Sequence, residues 1–186
     1  MSVGPRSARV VLVAAALAMT PAGSSLGESF PFKVPSLSGG SISSEDFKGK
    51  IVVVDIWATW CGPCRMVIPH LVKLHAKYKD RGVVVFGLNS DDDAASGEGN
   101  DLVKKFVRDN GINYPIGLMT PETYLKVAQV MGFDESGGFA IPTTMILGRS
   151  GRVVERFPGY YPGQELEIER IVTSMIEAEK KPAKKR

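Results

Sequence analysis

Cysteine and histidine are scarce in this chain of 186 residues: there are two of each, and both cysteines fall in one short stretch, WATWCGPCRM from Trp57 to Met66. A framework of several disulfides is therefore excluded. No apolar run reaches the roughly 20 residues that a membrane-spanning helix needs. No internal repeat is visible, and the acidic stretch SDDDAASGEGND from Ser90 to Asp101 lacks the D-x-[DN]-x-[DN]-G spacing of a calcium loop, so it reads as a solvated loop. Charge of one sign is lacking too. The formal charge of +3 goes to −4 once Arg6, Arg9 and the basic residues Lys180, Lys181, Lys184, Lys185 and Arg186 are set aside. Nothing in the remainder resembles a nucleic-acid surface, and no nucleic-acid partner is expected.

What is present begins with a leader pattern. Arg6 and Arg9 precede the apolar run VVLVAAALAM, Val10 to Met19, and small and turn-forming residues follow it. This is the order of a secretory signal, with cleavage expected near Ala22. An uncleaved anchor is the competing reading. No cysteine follows the run, which excludes lipid attachment there. The expected organisation is a signal peptide over 1–22, one domain over 23–179 and a disordered basic tail over 180–186.

Within the domain, IVVVDIW (Ile51 to Trp57) and VVVFGLN (Val83 to Asn89) are β-branched runs of the kind that form central strands covered on both faces. Between them, positions 63 to 79 carry apolar residues at helical spacing around Pro69, which gives a βαβ unit with a parallel pairing. Further helices are predicted over about 102–110, with Leu102, Val103, Phe106 and Val107 on the apolar side, over 121–131, and over 163–179. The last should bury Leu166, Ile168, Ile171, Val172, Met175 and Ile176. TTMIL and RVVERF flank the turn GRSG as an antiparallel hairpin. The architecture this gives is α/β, a mixed central sheet flanked by helices.

Three uses of Cys61 and Cys64 compete. A disulfide staple across two residues restrains little of the unfolded chain compared with the roughly 3 kcal/mol of a 15-residue loop. A metal site would have to add His70 and His75, which sit five apart, about 140° around a helix, and do not readily converge. The reactive pair has a mechanism at this spacing. Cys61 falls where a strand gives way to a helix, and free backbone N–H groups with the helix dipole favour a negative sulfur there. A fall in its pKa from about 8.5 to about 7 would raise the thiolate fraction at pH 7 from roughly 3% to roughly half. Cys64, one turn on and more buried, can resolve a mixed disulfide. Asp55 interrupts the strand as an acid whose burial is costly without a partner or a raised pKa. It either lies beneath the sulfur pair and accepts the proton of Cys64, or turns to solvent at the strand end.

The combination of C-G-P-C, the preceding W-A-x-W, Asp55 and Pro69 resembles the active-site segment of thioredoxin. A-I-P-T-T, Ala140 to Thr144, resembles the family's loop with a cis-proline beside the thiols. By that resemblance Pro142 is cis and lies against Cys61, and Ile141 pairs through its backbone with an incoming peptide. Trp60, Gly62 and Pro63 complete the substrate-facing rim. The N-terminal extension with D-F-K-G-K and the helix-strand insertion over about 101–117 are similar to the exported TlpA/ResA-like branch of thioredoxin-fold reductases. That branch often has an amide at the position of Asp55 and an acid at that of Val67, so the site here is more like thioredoxin itself.

The resemblance implies a thioredoxin fold and an exported thiol:disulfide oxidoreductase acting as a reductase, with no cofactor and no metal. Its partners would be protein disulfides, apocytochrome c or copper-site precursors among them, and a membrane thiol-electron donor. The location implied is periplasmic or otherwise exported. Two other classes stay open: a thiol peroxidase with Cys61 as attacking sulfur, and a non-catalytic copper-binding module using Met66, Met119, Met131 and Met145.

Overall fold

The computed structural model describes residues 27–92, 94–95, 97, 99–133 and 138–178. The leader and the basic tail lie outside the described residues. The order is β1 (Lys33–Pro35), β2 (Ser41–Ser43), β3 (Ile51–Trp57), α1 (Cys64–Tyr78), β4 (Val83–Asn89), α2 (Asn100–Asp109), β5 (Ile116–Leu118), α3 (Pro121–Met131), β6 (Thr143–Leu147), β7 (Val153–Pro158) and α4 (Gln164–Ala178). A five-stranded sheet runs β5-β4-β3-β6-β7, and β1 pairs with β2 in a separate ribbon. β3 pairs with β4 in parallel and with β6 antiparallel, so the sheet is mixed as the sequence predicts.

Every residue of β3 and β4 is buried, because each face of the sheet is covered. Side chains alternate along a strand. Ile51, Val53 and Trp57 therefore pack with α1, α2 and α4, whereas Val52, Val54 and Ile56 pack with Phe30, Phe32 and Val34 of the N-terminal arm and with Val127 and Val130 of α3. The arm and α3 thus cover this second face together. Phe32 stacks on Phe86 of β4 with ring centroids 5.0 Å apart.

Local signals account for the helix bounds. The Thr120 hydroxyl accepts a hydrogen bond from the Thr123 N–H at 3.2 Å, Pro121 opens α3, and Gly132 closes it in the left-handed region at φ 79°. Two apolar residues depart from the expectation. Leu166 is 69% exposed and Leu102 is 59% exposed. In α4 the buried residues Gln164, Ile168, Val172 and Ile176 recur every four positions. Leu166, midway between two of them, lies on the opposite side at about 100° per residue. Leu102 differs: it stands about 40° around α2 from buried Phe106 and is exposed in the first turn of the helix.

Candidate active site at the tip of the first helix

Cys64 is the first residue of α1, with Pro63 as its cap and Cys61 one turn earlier. The two sulfurs are joined as a disulfide with Cα atoms 5.4 Å apart. A helix leaves its first N–H groups without intrahelical partners. Here the Cys64 N–H donates to Cys61 Sγ at 3.2 Å, so an orphan donor of the helix tip is aimed at the outer sulfur. Cys61 is more exposed than Cys64, 3% against 0%, as the sequence predicts, and both residues are buried. The bridge tucks both sulfurs against the core formed by Trp57, Ala58 and Ile68, and the open surface belongs to the rim. Trp60 is 68% exposed, and Gly62 and Pro63 are exposed beside it.

The segment from β3 to α1 is fixed by groups that motif reading alone had left out. The Asp91 carboxylate accepts from the Thr59 N–H at 3.0 Å, the Thr59 hydroxyl at 2.7 Å and the Asn89 side-chain amide at 2.6 Å. Asp91 is therefore a brace for the loop before Cys61 rather than part of a solvated acidic stretch. Arg65 donates to the Thr59 carbonyl at 3.0 Å while its guanidinium lies 4.9 Å from the centre of the Phe106 ring, tying the loop to α2.

Asp55 is wholly buried, which removes the solvent-facing alternative. It lies on the same face of β3 as Val53 and Trp57, the face packed against the cluster that contains both cysteines. Burial pushes its carboxyl up to about 7, and the Thr144 hydroxyl, donating to Oδ1 at 3.5 Å, opposes that rise. Thr144 faces Asp55 because the two are register partners across β3 and β6. The Ile141–Pro142 bond is cis. Pro142 directly precedes β6, whose Thr143 pairs with Ile56, so this loop sits at the same end of the sheet as the cysteines. The Thr143 hydroxyl donates to the Ala140 carbonyl at 2.6 Å and holds the turn. A cleft of about 530 Å³ opens beside Trp60 and Ile141, lined also by Met119, Tyr124, Leu125 and Phe139.

The two histidines point elsewhere. His70 lines a groove between α1 and α4, and His75 Nδ1 accepts the Val85 N–H at 3.3 Å. Among the described residues no group of three or more His, Cys, Asp or Glu could hold a metal. Also among the described residues, no helix is long and apolar enough to cross a membrane.

Residues 25–172 match the Redoxin family. The thiol-disulfide oxidoreductase ResA of Bacillus thuringiensis strain Al Hakam is 32% identical over 143 residues, covering 76% of this chain and 75% of the relative. ResA of Bacillus subtilis strain 168 is 30% identical over 128 residues, 69% of this chain and 64% of its own. Among solved structures, a thiol:disulfide interchange protein of the thioredoxin family from Chlorobium tepidum TLS superposes with a TM-score of 0.67 at 28% identity. It covers 81% of this chain and 97% of its own.

Proposed function

We infer, from the premise that the chain belongs to the Redoxin family and to its TlpA/ResA-like branch of thiol-disulfide oxidoreductases, that this protein reduces protein disulfides outside the cytoplasm. The observation that carries the reading is the sulfur pair at the tip of α1, with an N–H aimed at Cys61 and a buried carboxyl on the sheet face beneath.

In the reduced protein, the Cys61 thiolate attacks one sulfur of a substrate disulfide. A Cys61–substrate bond forms, and the other substrate sulfur leaves as a thiolate. Cys64 then attacks Cys61 Sγ, giving its proton to Asp55 and displacing the second substrate thiolate. The protein ends as the Cys61–Cys64 disulfide, two electrons having passed to the substrate. A thiol donor in the membrane returns it to the dithiol. The order of attack is supported by burial, since Cys61 as a residue retains slight exposure and Cys64 none. Trp60, Gly62, Pro63, Ile141 and Pro142 form the edge against which an extended peptide lies, and the apolar cleft beside Trp60 takes its side chains. Apocytochrome c and copper-site precursors, whose cysteines must be reduced before they take up haem or metal, fit this chemistry as substrates. Gly62-Pro63 within the motif favours the reductant direction by resemblance.

Export is supported by Arg6 and Arg9 ahead of the apolar run Val10 to Met19, with cleavage near Ala22. Insulin reduction by the dithiol form tests the activity: wild type reduces it and Cys61→Ser loses at least a hundredfold in rate. In the exported fraction, Cys64→Ser should accumulate mixed disulfides with its substrates. Equal rates for wild type and Cys61→Ser would remove the reading.

A further inference from the structure

The cleft of about 530 Å³ beside the sulfur pair has a lining of two kinds. Most of it is apolar, made by Trp60, Met119, Tyr124, Leu125, Phe139 and Ile141, with Tyr124 packed on Phe139 at 4.8 Å between ring centroids. Trp60 is 68% exposed and Leu125 52% exposed, so this apolar surface is open to a partner. The rest is acidic. Asp91 and Asp92 line the same cleft, and no lysine, arginine or histidine does. The Asp91 carboxylate accepts only from neutral groups, the Thr59 N–H, the Thr59 hydroxyl and the Asn89 amide, so no cation offsets it. Asp92 is exposed and has neither a hydrogen bond nor an ion pair among the described residues. The start of α3 also borders the cleft, yet it offers an anion little: Pro121 has no N–H, and that of Thr123 is taken by the Thr120 hydroxyl. All of this lies next to the chemistry, because Trp60 precedes Cys61 and Ile141 precedes the cis Pro142.

We propose that this cleft selects substrates in which a lysine or arginine stands beside an apolar side chain close to the reactive cysteine, and that Asp92 and Trp60 set the preference. The proposal rests on the reductase reading and adds to it the class of substrate. An apolar side chain in the cleft covers Met119 and Leu125 and takes their surface out of water. The cation beside it meets a carboxylate that has no internal partner and an indole, both of which attract positive charge. Long basic side chains suit such a place. Their methylenes lie along apolar surface while the charged end stays in water. A glutamate there would instead meet two carboxylates, so the same lining that favours one substrate disfavours the other.

The test uses two model peptides, each with one cysteine bonded to 2-mercaptoethanol, flanked on both sides by Leu-Lys in the first and by Leu-Glu in the second. The second-order rate constant for reduction by the dithiol protein is divided by that of dithiothreitol with the same peptide, which removes the effect of flanking charge on the disulfide itself. Wild type should favour the lysine peptide about tenfold. Asp92→Asn should cut that ratio to about threefold, and Asp92→Lys should bring it to about one or below. Glu177→Gln makes the same change of charge at the C-terminal end of α4 and should leave the ratio where it was. A ratio near one in wild type, or one that Asp92→Asn leaves unmoved, overturns the proposal. A second measurement needs no reduction: with serine in place of the cysteine, the lysine peptide should shift the Trp60 indole resonance of the oxidised protein and the glutamate peptide should not. If neither disulfide peptide is reduced, the reductase reading fails, and this titration still decides what the cleft prefers. No shift from the lysine peptide, or equal shifts from both, overturns the proposal. So does a shift produced by raising the protein concentration alone, which would put a second copy of the chain in the cleft.

Discussion

Asp55 is the residue on which stability and chemistry pull in different directions. Its carboxyl is raised from 3.8 to about 7, chiefly by burial. Between those values the unfolded chain has lost the proton and the folded protein has kept it, so this group's contribution to stability is fully present below about pH 4. It is lost as pH rises through 7. A gap of roughly three units corresponds to a difference on the order of 4 kcal/mol. Urea unfolding of the oxidised protein at pH 5 and pH 8 should show wild type weakening toward alkaline pH, with Asp55→Asn weakening much less. Parallel behaviour of the two would show that the carboxyl is not held protonated by burial. The acid was legible in the sequence because a charge inside a β-branched run stands out. Its surroundings were not. Thr144 meets it through pairing between strands far apart in the chain, and Asp91 was concealed among acidic neighbours that read as solvated.

Among elements, α1 does two jobs. Its first turn presents the sulfur pair, and its last turns seal the sheet where β5 is too short to do so. β5 pairs only with Gly87 to Asn89, so the outward N–H of Val85 has no strand beside it and His75 Nδ1 receives it instead. Burial, and then the charge of Lys79, lowers the pKa of His75. The contact is intact above the ordinary value of 6.5 and is lost as pH falls through the lowered one. His75→Ala should cost about 1 kcal/mol at neutral pH and remove part of the acid-side loss of stability, as read by urea unfolding at pH 7.5 and pH 5. An unchanged midpoint at both pH values would show that the imidazole contributes nothing to the strand edge. The helices were legible from their periodicity, and α3 also from Pro121 near its start. Leu166 is misplaced when an apolar residue is assigned to the core by type rather than by angle, whereas Leu102 lies within about 40° of buried Phe106 and its angle does not reveal its exposure in the first turn of α2. Buried Gln164, not Leu166, takes the first inward position of α4.

For the whole molecule, the N-terminal arm completes the domain. Phe30, Phe32 and Val34 lie over β3 and β4 on the face away from α1, and Phe32 is 5% exposed. Phe32→Ala should destabilise by about 3 kcal/mol in chemical denaturation while the folded fraction keeps its insulin-reduction rate. A cost near zero would show that the arm is an ornament to the sheet. The mixed sheet, its strand runs and the helix-strand insertion follow from the alternation of buried runs with helical stripes. The arm's place could not be read that way, since Ser, Gly and Pro between its aromatics leave no periodicity to assign it a face.

All of the proposed chemistry requires that, in the dithiol form, Cys61 be ionised and reactive near neutral pH while Cys64 is not. The direct measurement is the rate of alkylation of each cysteine by iodoacetamide across pH, resolved by mass spectrometry on the reduced protein. Cys61 should react with a midpoint well below the 8.5 or so of an ordinary thiol, and at pH 7 Cys64 should be at least tenfold slower. Equal rates, with both midpoints at the ordinary value, would contradict the account.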